Sequence, residues 1–495
     1  MKTHNETSSS ENKSSPTIAI IGAGFSGIGM AIRLKQEGYS DFTLFERSTS
    51  IGGTWRDNTY PGCACDVASH LYSFSFEKNP NWSHVFSEAH EIYQYLQACA
   101  KKFNINEHIK LQTSVSEMQF DESTHKWSIL TDSGDYFYAD IVVNGTGPLN
   151  KPYIPKIPGL EKFSGKVFHS SQWDHEYDIT GKKVACIGTG ASAIQFIPRI
   201  VKSVTSLKVF QRTPTWLVPR FDRTYSFFTK WMFRNVPGLD NLYRVLLYWR
   251  NEYYGIGIIG YSFFNKLLQK ASQLYLYAKV KDRVLRGKLT PDYQIGCKRI
   301  NLSDDYYESL QHSNAELITN SIKSIEADGI TTADGVAYEC DTIIFGTGFV
   351  TQEFLQPMKI YGVDQQELTA KWAGSAESYL GISVAGFPNY FLLLGPNTGL
   401  GHNSVIFMIE AQIEYVIRAL DFLKHSNSSF VDVKLPKQEA FCQSTQAKLK
   451  NLSWGSGCHS WYLSKTGENY SIWPGFTPSY WWRTRKFDSA SYHVK

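Results

Sequence analysis

Gly22, Gly24 and Gly27 follow an unbroken apolar run in TIAIIGAGFSGIGMAIRL. The first glycine permits a sharp turn, the second lets a pyrophosphate touch backbone, and the third lets a helix pack against the strand before it. The free N–H groups and dipole of that helix start favour an anion. Glu46 ends the next strand, FTLFER, 24 residues after Gly22. A carboxylate there accepts hydrogen bonds from ribose hydroxyls. The same spacing returns at Gly188, Gly190 and Ala193 in KKVACIGTGASAIQFIPRI. Its strand end carries no acid. Counting 24 residues lands on Arg212, whereas aligning Phe45 with Phe210 sets Gln211 opposite Glu46 and Arg212 next. A carboxylate repels a 2′-phosphate and arginine binds one bidentately, so the second site is expected to prefer NADPH. An acid-bearing site beside an arginine-bearing one points to FAD in the first and NADPH in the second. Hydride then passes from nicotinamide to flavin.

These residues need two strand–turn–helix units to hold them. The two apolar strands before the glycines read as parallel strands buried on both faces. YADIVVNGTG is a further buried strand, and the proline-rich PLNKPYIPKIPGL after it reads as a linker. AELITNSIKSIEADGITTADGVAYECDTIIFGTGF reads as short strands ending in a buried one, and its IIFGTG echoes VVNGTG. The expected fold class is α/β with two dinucleotide-binding, Rossmann-like domains, the NADP domain inserted in the FAD domain. The expected divisions are a disordered tail over 1–15, the first part of the FAD domain over 16–150, and the NADP domain over 151–340. A helical insertion is expected at about 220–288. The second part of the FAD domain and an aromatic-rich C-terminal segment follow over 341–495.

Bulk properties set the bounds. A chain of 495 residues exceeds one ordinary core. Its 42% hydrophobic and 19% charged residues are globular composition. A net charge of +4 gives no reason to expect nucleic acid. The eight cysteines form no sequence framework for bridges, so all are expected reduced, as in a cytoplasmic protein. No metal site is expected. No stretch reaches the roughly 18 apolar residues of a membrane span. YYGIGIIGYSFF (Tyr253 to Phe264) comes nearest and leaves room for a peripheral, surface-lying contact. Oligomeric state is not legible.

A disulfide reductase would carry a redox cysteine pair after the first glycine unit. That stretch is GGTWRDNTYPGCACD, where Cys63 and Cys65 are too close for a relaxed bridge. It resembles instead the [AG]-G-x-W-x4-[FY]-P-[GM]-x3-D signature of Baeyer–Villiger monooxygenases. FSGKVFHSSQWD resembles their F-x-G-x3-H-x3-W-[PD] fingerprint at Phe163, Gly165, His169 and Trp173. Flavin-containing monooxygenases, a sister group, carry Phe or Tyr where Trp173 stands. IIFGTGF resembles the A-T-G-[FY] motif both groups share, with Gly346 in place of alanine. The likeness runs from about Thr17 to Glu414.

The resemblance implies an NADPH- and O₂-dependent oxidoreductase that converts ketones to esters or lactones through a C4a-peroxyflavin and also oxidises sulfides. It maps the active-site arginine onto Arg299 in IGCKRINLSDD, with Asp66 as its carboxylate partner. Arginine suits the task because it keeps its charge. The resemblance makes Lys298 a second contact to the 2′-phosphate. It sets Gly53, Thr54, Trp55, Asp66, Tyr72 and Val115 among the cofactor-binding residues. It gives His169 no proton-transfer role and makes the fingerprint a linker between the nucleotide domains. His169 and Trp173, four residues apart, could share one face of a helix or turn. Trp461, Trp473, Trp481 and Trp482 are expected either to line a substrate channel or to pack in the core. The insertion is expected to bound the substrate pocket. GPNTGLGHNSV, before a helix, could present backbone N–H groups to the flavin ring. The rival readings are a flavin-containing monooxygenase that oxygenates only N or S, and a flavoprotein sensor without oxygenation.

Overall fold

A computed structural model describes residues 15–259, 262–351, 355–458, 460–464 and 466–495. Nearly all of the expected N-terminal tail therefore lies outside the described residues.

Two five-stranded parallel sheets form the frame. The first runs in the order Tyr390–Leu392, Ile141–Asn144, Ile18–Ile21, Phe42–Phe45, Ile109–Lys110. The second runs Ala315–Ile318, Ser206–Phe210, Lys183–Ile187, Thr342–Phe345, Lys166–His169. In each, the strand before the glycines is central, with neighbours on both sides. That explains its lack of polar alternation: Ile18, Ile20, Val184 and Cys186 are wholly buried. Burying side chains of this size contributes roughly 1.5–3 kcal/mol each. The Phe25–Gln36 helix lies against the first sheet and ends at Gly38, whose φ of +83° closes the last turn.

The second unit is inserted in the first, as expected, because the edge strand Tyr390–Leu392 comes from the chain after the second sheet. The two crossings run side by side. The Tyr153 N–H donates to the Gly348 carbonyl at 2.9 Å, and the Val350 N–H to the Lys151 carbonyl at 2.9 Å. From Phe227 to Leu289 four helices form the insertion: Phe227–Asn235, Leu239–Ile259, Ser262–Lys279 and Arg283–Leu289.

Not all cysteines are reduced. Cys297 and Cys458, 161 positions apart in sequence, form a disulfide with Cα atoms 6.3 Å apart. Cysteine spacing cannot reveal a bridge that tertiary packing alone creates. Cys63, Cys65, Cys99, Cys186, Cys340 and Cys442 are free and buried.

Candidate active site

Both glycine turns open on one cavity of about 1440 Å³. In the first turn, Gly22 takes φ +95° and a Cβ on it would meet the Gly145 carbonyl at 3.0 Å. A Cβ on Gly27 would lie 1.9 Å from the Gly22 carbonyl oxygen, so the helix can approach the strand only through glycine. Gly24 caps the helix with no side-chain hydrogen bond, leaving first-turn N–H groups open to an anion. Gly53 faces Gly24: a Cβ there would sit 3.1 Å from the Gly24 Cα. A dinucleotide pyrophosphate fits this cradle, which any side chain would fill.

Glu46 is buried and fixed from three sides. One oxygen accepts from the Ala23 N–H at 2.9 Å; the other accepts from the Ser48 N–H at 3.0 Å and lies 3.1 Å from Arg56. Thr54 and Trp55 open a short helix beside it, and the Trp55 indole N–H donates to the Tyr72 hydroxyl at 3.3 Å. Val115 begins a strand of a separate four-stranded sheet. Glu46, Gly53, Thr54, Trp55, Tyr72 and Val115 all line the cavity.

The second turn repeats this geometry with one exchange. Gly188 takes φ +104°, Gly190 caps the Ala191–Ile200 helix without a side-chain bond, and Ala193 is wholly buried. A Cβ on Gly346 would stand 2.9 Å from the Ala193 Cβ. Alanine at the third motif position thus demands glycine in the partner strand end, which accounts for the departure at Gly346.

Gln211 and Arg212 both line the cavity at the strand end, with Lys298 beside them. The Gln211 amide is committed to the Lys288 carbonyl at 2.8 Å, and Arg212 carries the charge. Burial holds the Lys298 ammonium below its ordinary pKa, and neighbouring Arg212 lowers it further. Two cations side by side favour a doubly charged anion between them.

Arg299 and Asp66 meet as the resemblance implies, from chain positions 233 residues apart. The Arg299 Nε donates to Asp66 Oδ2 at 3.0 Å, and Nη2 donates to the same oxygen. The arginine side chain is 32% exposed, and that face looks into the cavity. Asp66 raises the guanidinium pKa above its ordinary value against the opposing effect of burial. Tyr462, buried beside this pair, also lines the cavity. Its hydroxyl is pushed up by burial, while Arg299 pulls it the other way. No sequence motif surrounds Tyr462, so only the fold brings it to the site.

The fingerprint stands outside the cavity lining. Phe163 packs beneath the second sheet, and a Cβ on Gly165 would lie 2.2 Å from the Asp341 carbonyl. His169 and Trp173 do not share a face. Phe168 and His169 are successive strand residues and point to opposite sides. Trp173 packs on Phe168 and on Phe196 of the second glycine helix, at 5.2 and 5.4 Å between ring centres. His169 instead approaches Phe349, on the returning crossing, at 5.8 Å. Burial lowers its pKa to about 4.

The contact between the units also escaped the sequence reading. Gln195, on the second glycine helix, accepts from the Tyr60 hydroxyl at 2.9 Å and donates to the Ala64 carbonyl at 3.0 Å. The first signature therefore touches the second helix directly. Of the four tryptophans, Trp461 lines the cavity, Trp473 is core, and Trp481 and Trp482 are exposed. Gly395, Gly399, Leu400 and Asn403 of the GPNTGLGHNSV loop line it too. The insertion does not: among the described residues, none from 220 to 288 is in the lining.

A family description, flavin-binding monooxygenase-like, matches residues 15–252. A Baeyer–Villiger monooxygenase of Pseudomonas aeruginosa is 46% identical over 485 residues, covering 96% of this chain and 91% of that one. One from Streptomyces coelicolor is 42% identical over 488 residues, covering 96% and 92%. Among solved structures, the OTEMO complex with FAD and NADP superposes with a TM-score of 0.88 at 26% identity, covering 97% and 99%. Cyclohexanone monooxygenase from Rhodococcus sp. Phi1 bound to NADP+ gives 0.86 at 26% identity, with the same coverage. With near full-length identity of this order and two glycine-turn units opening on one cavity, the chain belongs to the Baeyer–Villiger monooxygenase family.

Proposed function

We propose that this enzyme uses NADPH and O₂ to convert ketones to esters or lactones, and that it also oxygenates sulfides. FAD is held by Gly22, Gly24, Gly27, Glu46, Gly53, Thr54, Trp55, Tyr72 and Val115. NADPH is held by Gly188, Gly190 and Ala193, with Arg212 and Lys298 on its 2′-phosphate. Bound flavin supplies the two-electron carrier and the activation of oxygen.

The observation that carries this reading is the Asp66–Arg299 pair in the cavity wall. Oxygen transfer to a ketone requires negative charge on oxygen to persist until the carbonyl is attacked. Arg299 supplies a fixed positive charge there. Because Asp66 raises its pKa, Arg299 neither loses that charge nor gives its proton to the reacting oxygen. Asp66 holds the guanidinium plane by two bonds to one oxygen, and Tyr462 stands against Arg299 in the same cavity wall. The fingerprint acts at the joint between units: His169 on the returning crossing, Trp173 on the helix that carries Gln195. We place the enzyme in the cytoplasm, where NADPH is supplied. The six free buried cysteines support that placement, and the Cys297–Cys458 bridge stands against it.

Product analysis with a simple ketone and a simple thioether tests the proposal. Ester or lactone formed with NADPH consumption supports it. Sulfoxide alone, with no ester from any ketone of a linear, cyclic and aromatic panel, refutes it and leaves the N- and S-oxygenating reading. NADPH consumption that no substrate stimulates refutes oxygenation as a whole.

A further inference from the structure

The insertion carries two features that the cavity does not use. Its Leu239–Ile259 helix exposes Leu242, Val245, Leu246, Trp249 and Tyr253. At 3.6 residues per turn these fall within roughly 100° of arc, one continuous apolar stripe. The opposite side of the helix is buried through Leu247, Asn251 and Gly255, so the exposed stripe is surplus to folding. The Ser262–Lys279 helix repeats the pattern with Phe263, Leu267, Leu274 and Tyr277, and Lys266 and Lys270 stand on the same stripe. Phe227 and Phe263 are 86% and 73% exposed, far beyond isolated apolar residues brushing solvent.

Charge is distributed just as unevenly. Residues 220–288 hold thirteen Lys and Arg against four Asp and Glu, a surplus of nine, whereas the whole chain has a surplus of only four. The rest of the protein is therefore net acidic. Within the helices from Phe227 to Lys279 themselves, seven Lys and Arg stand against two Asp and Glu. Arg244 is bound to the His70 carbonyl and Lys279 to Glu308, so the free positive charge beside the exposed apolar side chains is carried chiefly by Lys266 and Lys270. Aromatic and aliphatic stripes with interleaved lysines match a lipid–water boundary. Rings sit at headgroup depth, lysine stems lie along acyl chains, and ammonium groups reach anionic headgroups. No described helix is long and apolar enough to cross a membrane.

We infer that the helices between Phe227 and Lys279 form a membrane-docking face that lies on anionic bilayers. A protein partner would explain the apolar stripe but not the concentration of positive charge, which anionic lipid complements.

The test is flotation of the full-length, flavin-loaded enzyme with vesicles of phosphatidylglycerol and phosphatidylethanolamine, or of phosphatidylcholine alone. The enzyme should float with the anionic vesicles and much less with the neutral ones. Roughly 0.5 M salt should weaken binding severalfold by screening the charges. The double variant Leu246→Asp/Leu267→Asp should need about tenfold more lipid for half-binding, with flavin content and NADPH oxidation in solution unchanged. Lys266→Glu/Lys270→Glu should abolish the preference for anionic lipid. Absence of vesicle binding by the unmodified enzyme overturns the inference, whatever the variants do. So does a concentration-dependent dimer in sedimentation velocity that Leu246→Asp/Leu267→Asp dissolves, because a second copy then covers the face.

Discussion

Replacing Asp66 with asparagine isolates the charge that holds Arg299. The amide keeps the shape and offers an oxygen to the two N–H donors that now reach Asp66 Oδ2. Only the charge assistance is lost. A hydrogen bond to a charged partner contributes about 1.5–3 kcal/mol and a neutral one about 0.5–1.5, so each bond weakens by about 1 kcal/mol. Two bonds give about 2 kcal/mol, and the third of the arginine that faces the cavity discounts this to about 1.5 kcal/mol. That corresponds to about a tenfold loss of the competent guanidinium orientation. The assay follows NADPH oxidation, ester and hydrogen peroxide in one vessel. Asp66→Asn should form about tenfold less ester per NADPH, and peroxide should take up the difference. Anaerobic reduction of the flavin by NADPH should stay near the wild-type rate. Full coupling in the variant, or an equal fall in the reductive step, would refute the assignment of Asp66 as the residue that positions Arg299.

Other outcomes follow from the same geometry. Arg212→Ala should raise the KM for NADPH about 100-fold, as loss of a bidentate phosphate contact requires, and leave that for NADH nearly unchanged; equal effects on both would remove Arg212 from the 2′-phosphate. Gly27→Ala forces a Cβ to within 1.9 Å of the Gly22 carbonyl. It should yield protein without flavin absorbance after gel filtration, whereas Gly38→Ala, whose Cβ would meet no neighbour, should keep its flavin. His169 is neutral in the fold, with its pKa lowered to about 4. The unfolded chain takes up a proton that the fold refuses, so stability is intact above about pH 6.5 and is lost as pH falls towards 4, by up to about 3 kcal/mol. Denaturant titrations at several pH values should show a shallower acid loss for His169→Gln than for the wild type.

Features tied to local backbone were legible in the sequence. Both glycine turns announce themselves because the strand before each is central and apolar, and because no side chain fits at Gly22, Gly27 or Gly188. Glu46 and Arg212 could be found because parallel register fixes where the next strand ends: Ile21 pairs with Phe45, and Ile187 with Phe210. Register alone left Gln211 and Arg212 undecided, and both line the cavity; that the Gln211 amide is committed to the Lys288 carbonyl, 77 residues away, is visible only in the fold. Arg299 and Asp66 were reachable only through family likeness. The Gln195–Tyr60–Ala64 contact, the place of Tyr462 and the Cys297–Cys458 bridge depend on chain crossings that leave no periodic trace. The insertion shows how far periodicity goes. It declares helices, but it does not say which of their faces the rest of the protein covers, and here the cavity takes none of the described residues.

The inserted topology also dictates an order of events at the ribosome. The first sheet lacks its edge strand until Tyr390–Leu392 is made, and the helix Val405–Ser426, which packs on Phe25–Gln36, comes later still. The second unit has all its strands once Phe345 has emerged. At about 5–20 residues per second, the apolar side of the first glycine helix waits roughly 20–80 seconds for its cover. The second unit thus completes first, and the first unit closes around it from both sides in sequence. During that interval the apolar side of the Phe25–Gln36 helix, later covered by Val405–Ser426, is the surface of the nascent chain that the fold leaves open longest.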